Sequence, residues 1–369
     1  MLPTLVRRLL GGVLLIIALT FVTYAVANEI PQNKACIVIS CNAQTTRAEM
    51  QQALHTAGFD RPVWNQYGDF LWTVVRHHSL GTSWTGQQLD STIVSALPPT
   101  ISLVAGGMLL TLLLALPLGA FAAVRARSVF DRGILTFSVA GLAVHPFVLA
   151  IGVQQFMAHV LGAPRGFYCP LTVHAVPKQI LTPGEGVITH GGPVIHACGG
   201  PVDWMTHMAG PWIVFALFFV PIYVRMIRTR FREALAQRYV TTARAKGAGE
   251  PRVVGKHALP IASVPLLPMV ATDAGTALTV AIYIETIFGL PGLGHLAVTA
   301  LSGEFFLGVY DLPFIVAIVL AVGVFVVLLN AAADLASAWI DPRIRARATR
   351  GLLPVPRRAV AGTSAEPSG

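Results

Sequence analysis

The stretch ISLVAGGMLLTLLLALPLGAFAAV, residues 101–124, carries no charged side chain. As a helix it would be about 36 Å long, enough to cross the roughly 30 Å hydrocarbon core of a bilayer. In lipid the backbone must satisfy its own hydrogen bonds, so such a stretch is helical if it spans. Five further apolar windows flank it, at residues 9–27, 133–161, 209–224, 258–290 and 313–333. The third contains His145-Pro146 and His159, and the fifth holds Asp273 and Glu285. The 369 residues are 54% apolar and 12% charged, about half the charge of an ordinary soluble domain. These figures exclude a soluble globular domain, a disordered chain and a disulfide-dense secreted scaffold. The reading is an all-α polytopic membrane protein of six transmembrane helices.

The first window follows Arg7-Arg8 and ends in Ala25-Val26-Ala27, which mimics a signal-peptidase site. Its apolar length exceeds the usual core of a signal peptide, so it is read as a retained span. Of the 26 Lys and Arg, 20 lie in segments 1–8, 125–132, 225–257 and 341–369. The other six are Lys34, Arg47, Arg61, Arg76, Arg165 and Lys178, spread over two longer loops. Cations near span ends stay inside, so both termini are expected in the cytoplasm. The net charge of +9 is then a matter of topology and headgroup contact, with no call for nucleic acid. Cys36 and Cys41 fall in the first outside loop, and Cys169 and Cys198 in the second. Four cysteines permit three pairings, the simplest lying within each loop. His174, His190 and His196 lie between Cys169 and Cys198, but no Cys and His pair has zinc-ligand spacing, so no metal is expected.

The inside loop 225–260 is the most informative for function. Phe231-Arg-Glu-Ala-Leu-Ala-Gln-Arg-Tyr-Val-Thr-Thr-Ala-Arg-Ala-Lys-Gly247 reads as a helix, followed by Gly249, Pro251 and His257-Ala-Leu-Pro260. A helix along the membrane surface would turn Leu235 and Tyr239 inward and Arg238 and Lys246 to water. Gly247 suits a left-handed stop, and Pro251 the start of the next helix.

This loop resembles that of the membrane permease subunits of binding-protein-dependent ABC importers. Their pattern is Glu-Ala-Ala, three residues, Gly, nine residues, Ile-x-Leu-Pro. Here Thr241-Thr242-Ala243, Gly247 and His257-Ala258-Leu259-Pro260 stand at that spacing, departing at the Glu and Ile positions. Tyr239 to Gly247 is similar to the dipeptide and oligopeptide branch in particular, whose relatives also take nickel chelates and glutathione-like peptides. Further likenesses are Arg7-Arg8-Leu9-Leu10, Asp60-Arg61-Pro62 with Gln66-Tyr67, Leu97-Pro98-Pro99-Thr100, Glu285-Thr-Ile-Phe288 with Pro291-Gly-Leu-Gly294, Asn330, Asp334 and Asp341-Pro-Arg-Ile-Arg345. Together they cover roughly residues 1–161 and 209–345. The branch's Pro-Gly-Asp-Pro after the first span is replaced by Pro31-Gln-Asn-Lys, and residues 162–207 form a longer outside segment than the branch usually has.

The resemblance implies a type I importer permease in the plasma (inner) membrane. Its partners would be ABC ATPase subunits, a second homologous permease and an extracytoplasmic binding protein. Tyr239, Thr242, Ala243, Arg244, Ala245, Lys246, Gly247, His257 and Leu259 would form the coupling surface for the ATPase. The chain itself carries no P-loop: Gly255-Lys256 resembles its tail, but Glu250 and His257 occupy the places of the first Gly and the Ser or Thr. No cofactor is expected on this chain, and ATP and Mg belong to the partner. Asp273 and Glu285 are the candidate path residues, since an ionisable group at membrane depth faces water or protein. For Asp273 the choices are a cationic part of the substrate or a hydrogen bond to a neighbouring helix. An ion-coupled transporter using Asp273 is the competing class. An intramembrane enzyme built on His145, His159 and Asp273 lacks any metal-ligand spacing. Residues 1–96 are thus read as the first span and first outside loop, 97–345 as the permease core with its 162–207 insertion, and 346–369 as a disordered tail.

Overall fold

The structure, a computed structural model, describes residues 2–29, 45–56, 60–83, 88–160, 200–302 and 311–340. Cys36, Cys41, Cys169, Cys198, the three histidines between the last two, most of the 162–207 insertion and the tail 346–369 lie outside these residues. The described chain is helical: α1 (Leu2–Glu29), α2 (Arg47–Thr56), α3 (Val63–His77), α4 (Leu89–Val124), α5 (Val129–Ala143), α6 (Pro146–Val160), α7 (Pro201–Leu235), α8 (Arg238–Ala245), α9 (Glu250–Thr272), α10 (Ala274–Phe288), α11 (Leu293–Ser302) and α12 (Leu312–Ile340).

All six apolar windows fall on helices, but two of them are not single straight rods. By length and composition α1, α4, α7, α9 and α12 are each able to cross a membrane. The pairs α5 with α6 and α10 with α11 add up to two more crossings, bent by 103° and 73°. The window 133–161 breaks at His145-Pro146, because proline has no N–H to continue the helical ladder and disfavours helical backbone before it. The window 258–290 runs from α9 into α10 through Asp273. The helix breaks for one residue there, α9 ending at Thr272 and α10 starting at Ala274, while the Asp273 N–H donates to Met269 (2.9 Å) and the Ala277 N–H to Asp273 (2.8 Å). The chain then turns at Gly289, whose φ is +64°.

Helices α4 and α7 are 36 and 35 residues long, about 54 Å and 53 Å, so both overrun the bilayer. They pack along each other as the central pair of the core. Small residues on α4 permit that approach. A Cβ at Gly119 would lie 2.7 Å from Ile227 and 3.1 Å from the Val224 carbonyl, and one at Gly107 would strike the Phe215 ring. Without a hydrophobic driving force between helices in lipid, such close backbone packing is a main source of association. Buried Phe215, Phe219, Tyr223, Ile227 and Phe231 fill the α7 side, and Ala277, Ala281, Ile284 and Phe288 of α10 close the cluster.

Helix α1 stands outside this core against α12, and its apolar side chains are mostly exposed, as suits a lipid-facing span. Helix α3 docks on it through Tyr67, whose hydroxyl pairs with Thr20 (2.7 Å) and donates to the Ile17 carbonyl (2.9 Å).

Candidate functional site

Helix α7 carries the chain about 16 Å past the end of its apolar window before it stops at Leu235. The short α8 follows, and it packs on a π-helical turn at Val253–Ala258 within α9. Val240 is the fully buried residue of α8, whereas Tyr239 is 38% exposed. This shifts the inward face by one residue from the sequence expectation, and Leu235 is half-buried. The Tyr239 hydroxyl stands 3.5 Å from the Ala234 and His257 carbonyls, too far for strong bonds.

Gly247 has φ +80°, the left-handed turn that a side chain strains, and nothing lies within 4 Å of a Cβ built there. Arg244, Ala245, Lys246 and Gly247 are exposed together at the end of α8, with Thr242 beside them. Arg244 grips Glu250 across the turn in a two-pronged pair, Nε to Oε1 at 2.7 Å and Nη2 to Oε2 at 3.2 Å. Ala243 and His257 are half-buried, and Leu259 is exposed.

A buried ion pair missed by the sequence reading ties this region to the membrane core. Asp131, 3% exposed at the start of α5, receives both Nε and Nη2 of Arg228 on α7, the latter at 2.7 Å. The Arg127 N–H donates to the same carboxylate (2.8 Å), and Ser128 caps α5 through the Asp131 N–H (3.2 Å). Nothing in the linear sequence separates Arg228 from its cationic neighbours, because the pairing spans 97 positions.

Of the two candidate path residues, Asp273 is half-buried and accepts from the hydroxyl of Tyr223 on α7 at 3.0 Å. Glu285 is fully buried. Thr100 Oγ1 donates to its Oε1 (2.7 Å), while the N–H groups of Gly294 and His295 donate to Oε2 (2.7 and 3.1 Å). Thr100 in turn accepts from the Leu293 N–H (2.9 Å). The Glu285 carboxyl therefore caps the first turn of α11, satisfying N–H groups that a helix start leaves unpaired. Cβ atoms at Gly292 and Gly294 would meet that carboxyl, and the one at Gly294 would also lie 2.6 Å from the Ile282 backbone. The Pro-Gly-Leu-Gly turn has its glycines so that Glu285 fits beneath it.

Asn330 donates to Val326 of its own helix (2.9 Å). His145 meets the Tyr283 ring edge to face at 5.0 Å. Among the described residues no cluster of His, Cys, Asp and Glu is arranged to hold a metal.

A polytopic helical membrane protein with a shaped loop between α7 and α10 and a glycine turn capped by a buried carboxyl is built as a transport permease. The chain belongs to the family of binding-protein-dependent transport system inner membrane components, whose model matches residues 115–346, and the N-terminal model of the same family matches residues 1–104. It is an inner-membrane protein. It is 30% identical over 349 residues to a dipeptide transport system permease protein, DppB, of Escherichia coli K12, covering 94% of this chain and 99% of that one. It is equally similar, with the same coverage, to a putative peptide permease protein of Brucella suis. A di/tripeptide transport system permease protein of Pseudomonas aeruginosa is 29% identical over the same span.

Proposed function

We propose that the chain is the translocation subunit of an ATP-driven importer that takes di- or oligopeptides from an extracytoplasmic binding protein. In this reading it crosses the membrane six times, with both termini in the cytoplasm and α9 and α10 serving as one crossing. A second homologous permease completes the path, and separate ATPase subunits bind and hydrolyse ATP with Mg. The peptide class is taken from the names of the relatives.

The observation that carries the reading is the surface at the end of α8. Arg244 to Gly247 project into water from a short helix seated on the π-helical turn, at the tip of the rigid rod that α7 forms with the core. A push on this surface moves α7, and through Asp131 and Arg228 also α5, as one body. A secondary transporter has no use for such a surface. Asp273 and Glu285 divide their roles on this reading: Asp273 faces the path, while Glu285 positions the outer turn. Cys36 with Cys41 and Cys169 with Cys198 would staple the two outside loops in the oxidising compartment.

The test is to purify the tagged chain in mild detergent and identify what accompanies it, then repeat with Gly247→Asp. ATPase subunits and a second permease should accompany the parent chain, and the substitution should release the ATPase. A chain that brings no nucleotide-hydrolysing partner from several detergents overturns the proposal.

A further inference from the structure

Helix α10 differs from the other membrane helices in what it exposes. Helix α4 shows Leu109, Leu113 and Leu118 to its surroundings, and α6 shows Val148 and Phe156. Helix α10 exposes no large hydrophobic side chain at all. Thr276, Thr279 and Thr286 are exposed there, with Gly275 among them and Thr272 one turn below. Residues 276, 279, 283 and 286 recur at helical spacing within α10 and form one stripe, on which Tyr283 is half-buried, and Thr272 closes α9 just before it. A stripe of hydroxyls flanked only by the half-buried Ile282 and Ile287 is a poor surface to leave against acyl chains.

The hydroxyls also have a common polarity. Thr272, Thr279 and Thr286 each donate to a carbonyl of their own helix, Met269 (2.9 Å), Gly275 (3.1 Å) and Ile282 (2.8 Å). Their protons are used, so each oxygen is left facing outward as an acceptor. Asp273 adds a carboxylate at the cytoplasmic end of the stripe. A groove of about 430 Å³ reaches Met269, one turn before Asp273, and is lined also by Arg225, Met226 and Thr229 and by Arg230 and Glu233, which pair with each other at 3.1 Å. Arg225 has no ion-pair partner among the described residues.

We propose that this stripe, Thr276, Thr279, Tyr283 and Thr286, with Thr272 and Asp273 at its start, is the wall of the translocation path, and that it receives the amide and ammonium N–H groups of a passing zwitterionic peptide. Neutral acceptors repeated about every 4.5 to 6 Å along the helix suit a substrate whose donors repeat along its backbone and whose side chains vary. The Arg225 groove provides a cation for the carboxylate end. This inference deepens the importer reading and rests on it.

The experiment uses the complete complex, once co-purification of its ATPase is established, in proteoliposomes. Single cysteines are introduced as Thr276→Cys, Thr279→Cys and, as a lipid-facing control, Leu113→Cys, and treated with a charged, membrane-impermeant thiol reagent. The label is located by peptide mass, so the four native cysteines do not interfere. Thr276→Cys and Thr279→Cys should label and Leu113→Cys should not. Thr276→Val with Thr279→Val should lower peptide uptake about tenfold, the equivalent of two modest hydrogen bonds. If both threonine positions are as silent as Leu113, the path assignment is overturned and the importer reading stands. A chain that brings no ATPase overturns the importer reading before any label is added.

Discussion

Replacing Gly292 with Ala tests the buried cap under the 291–294 turn. Gly292 does not have a left-handed backbone, so alanine is conformationally allowed and only space is at issue. The new methyl would fall on the Glu285 carboxyl, which must move away. That motion breaks its bonds to Thr100 and to the N–H groups of Gly294 and His295. Each buried bond contributes about 0.5–1.5 kcal/mol and an orphaned donor costs about 1–3 kcal/mol. Thr100 retains a second acceptor in the Ala96 carbonyl (3.3 Å), so the orphans are the two backbone groups. The expected loss is about 3 kcal/mol. Glu285→Ala forfeits the same bonds and should cost a similar amount. The double variant should cost about 3 kcal/mol as well, not about 6, because the methyl then occupies the space the carboxyl has left. Thermal unfolding of the four proteins in one detergent, followed by tryptophan fluorescence, measures the cycle. Gly152→Ala is the control: it lies within α6 with nothing inside 4 Å, and should change stability by no more than about 1 kcal/mol. Additive losses in the double variant, or a Gly292→Ala protein as stable as the parent, would refute the argument.

Two other substitutions probe the links that hold α5 to α7 and α8 to the core. Asp131→Ala leaves the Arg228 guanidinium buried without its partner and should destabilise by about 3 kcal/mol, whereas Asp131→Leu with Arg228→Met should recover most of that loss in the same unfolding assay. Val240→Ala should loosen α8 by about 1–2 kcal/mol and raise the rate at which protease cuts at residues 238–247, while Tyr239→Phe, whose hydroxyl makes no close bond, should leave cleavage unchanged. Equal protection in both variants would show that α8 is not held by Val240.

Much of the architecture was legible from local sequence. All six apolar windows fall on helices, since lipid demands an unbroken run of apolar residues and a self-satisfied backbone, and both are properties of consecutive positions. The stop at Gly247 was equally local, a matter of one residue's backbone freedom. The face of α8 was misjudged by one position, because an eight-residue helix offers little more than two turns of pattern and the choice between Tyr239 and Val240 was made by the π-helical turn against which it packs. Six windows likewise said nothing of the 103° bend after Val144 beyond the presence of Pro146.

The linear chain determined which segments are apolar enough to enter the membrane, where the cations gather and where α8 stops, because hydropathy, charge and turn chemistry act over a few neighbouring residues. Only the tertiary structure decided what the polar groups inside that frame do. Glu285 became a cap through Thr100, 185 positions away, and Asp273 found Tyr223 at a distance of 50. Asp131 chose Arg228 from a row of similar cations, and the hydroxyls of α10 became a single exposed stripe. A buried polar group must find a partner or face water, and which of these it does is settled by the helices that fold against it.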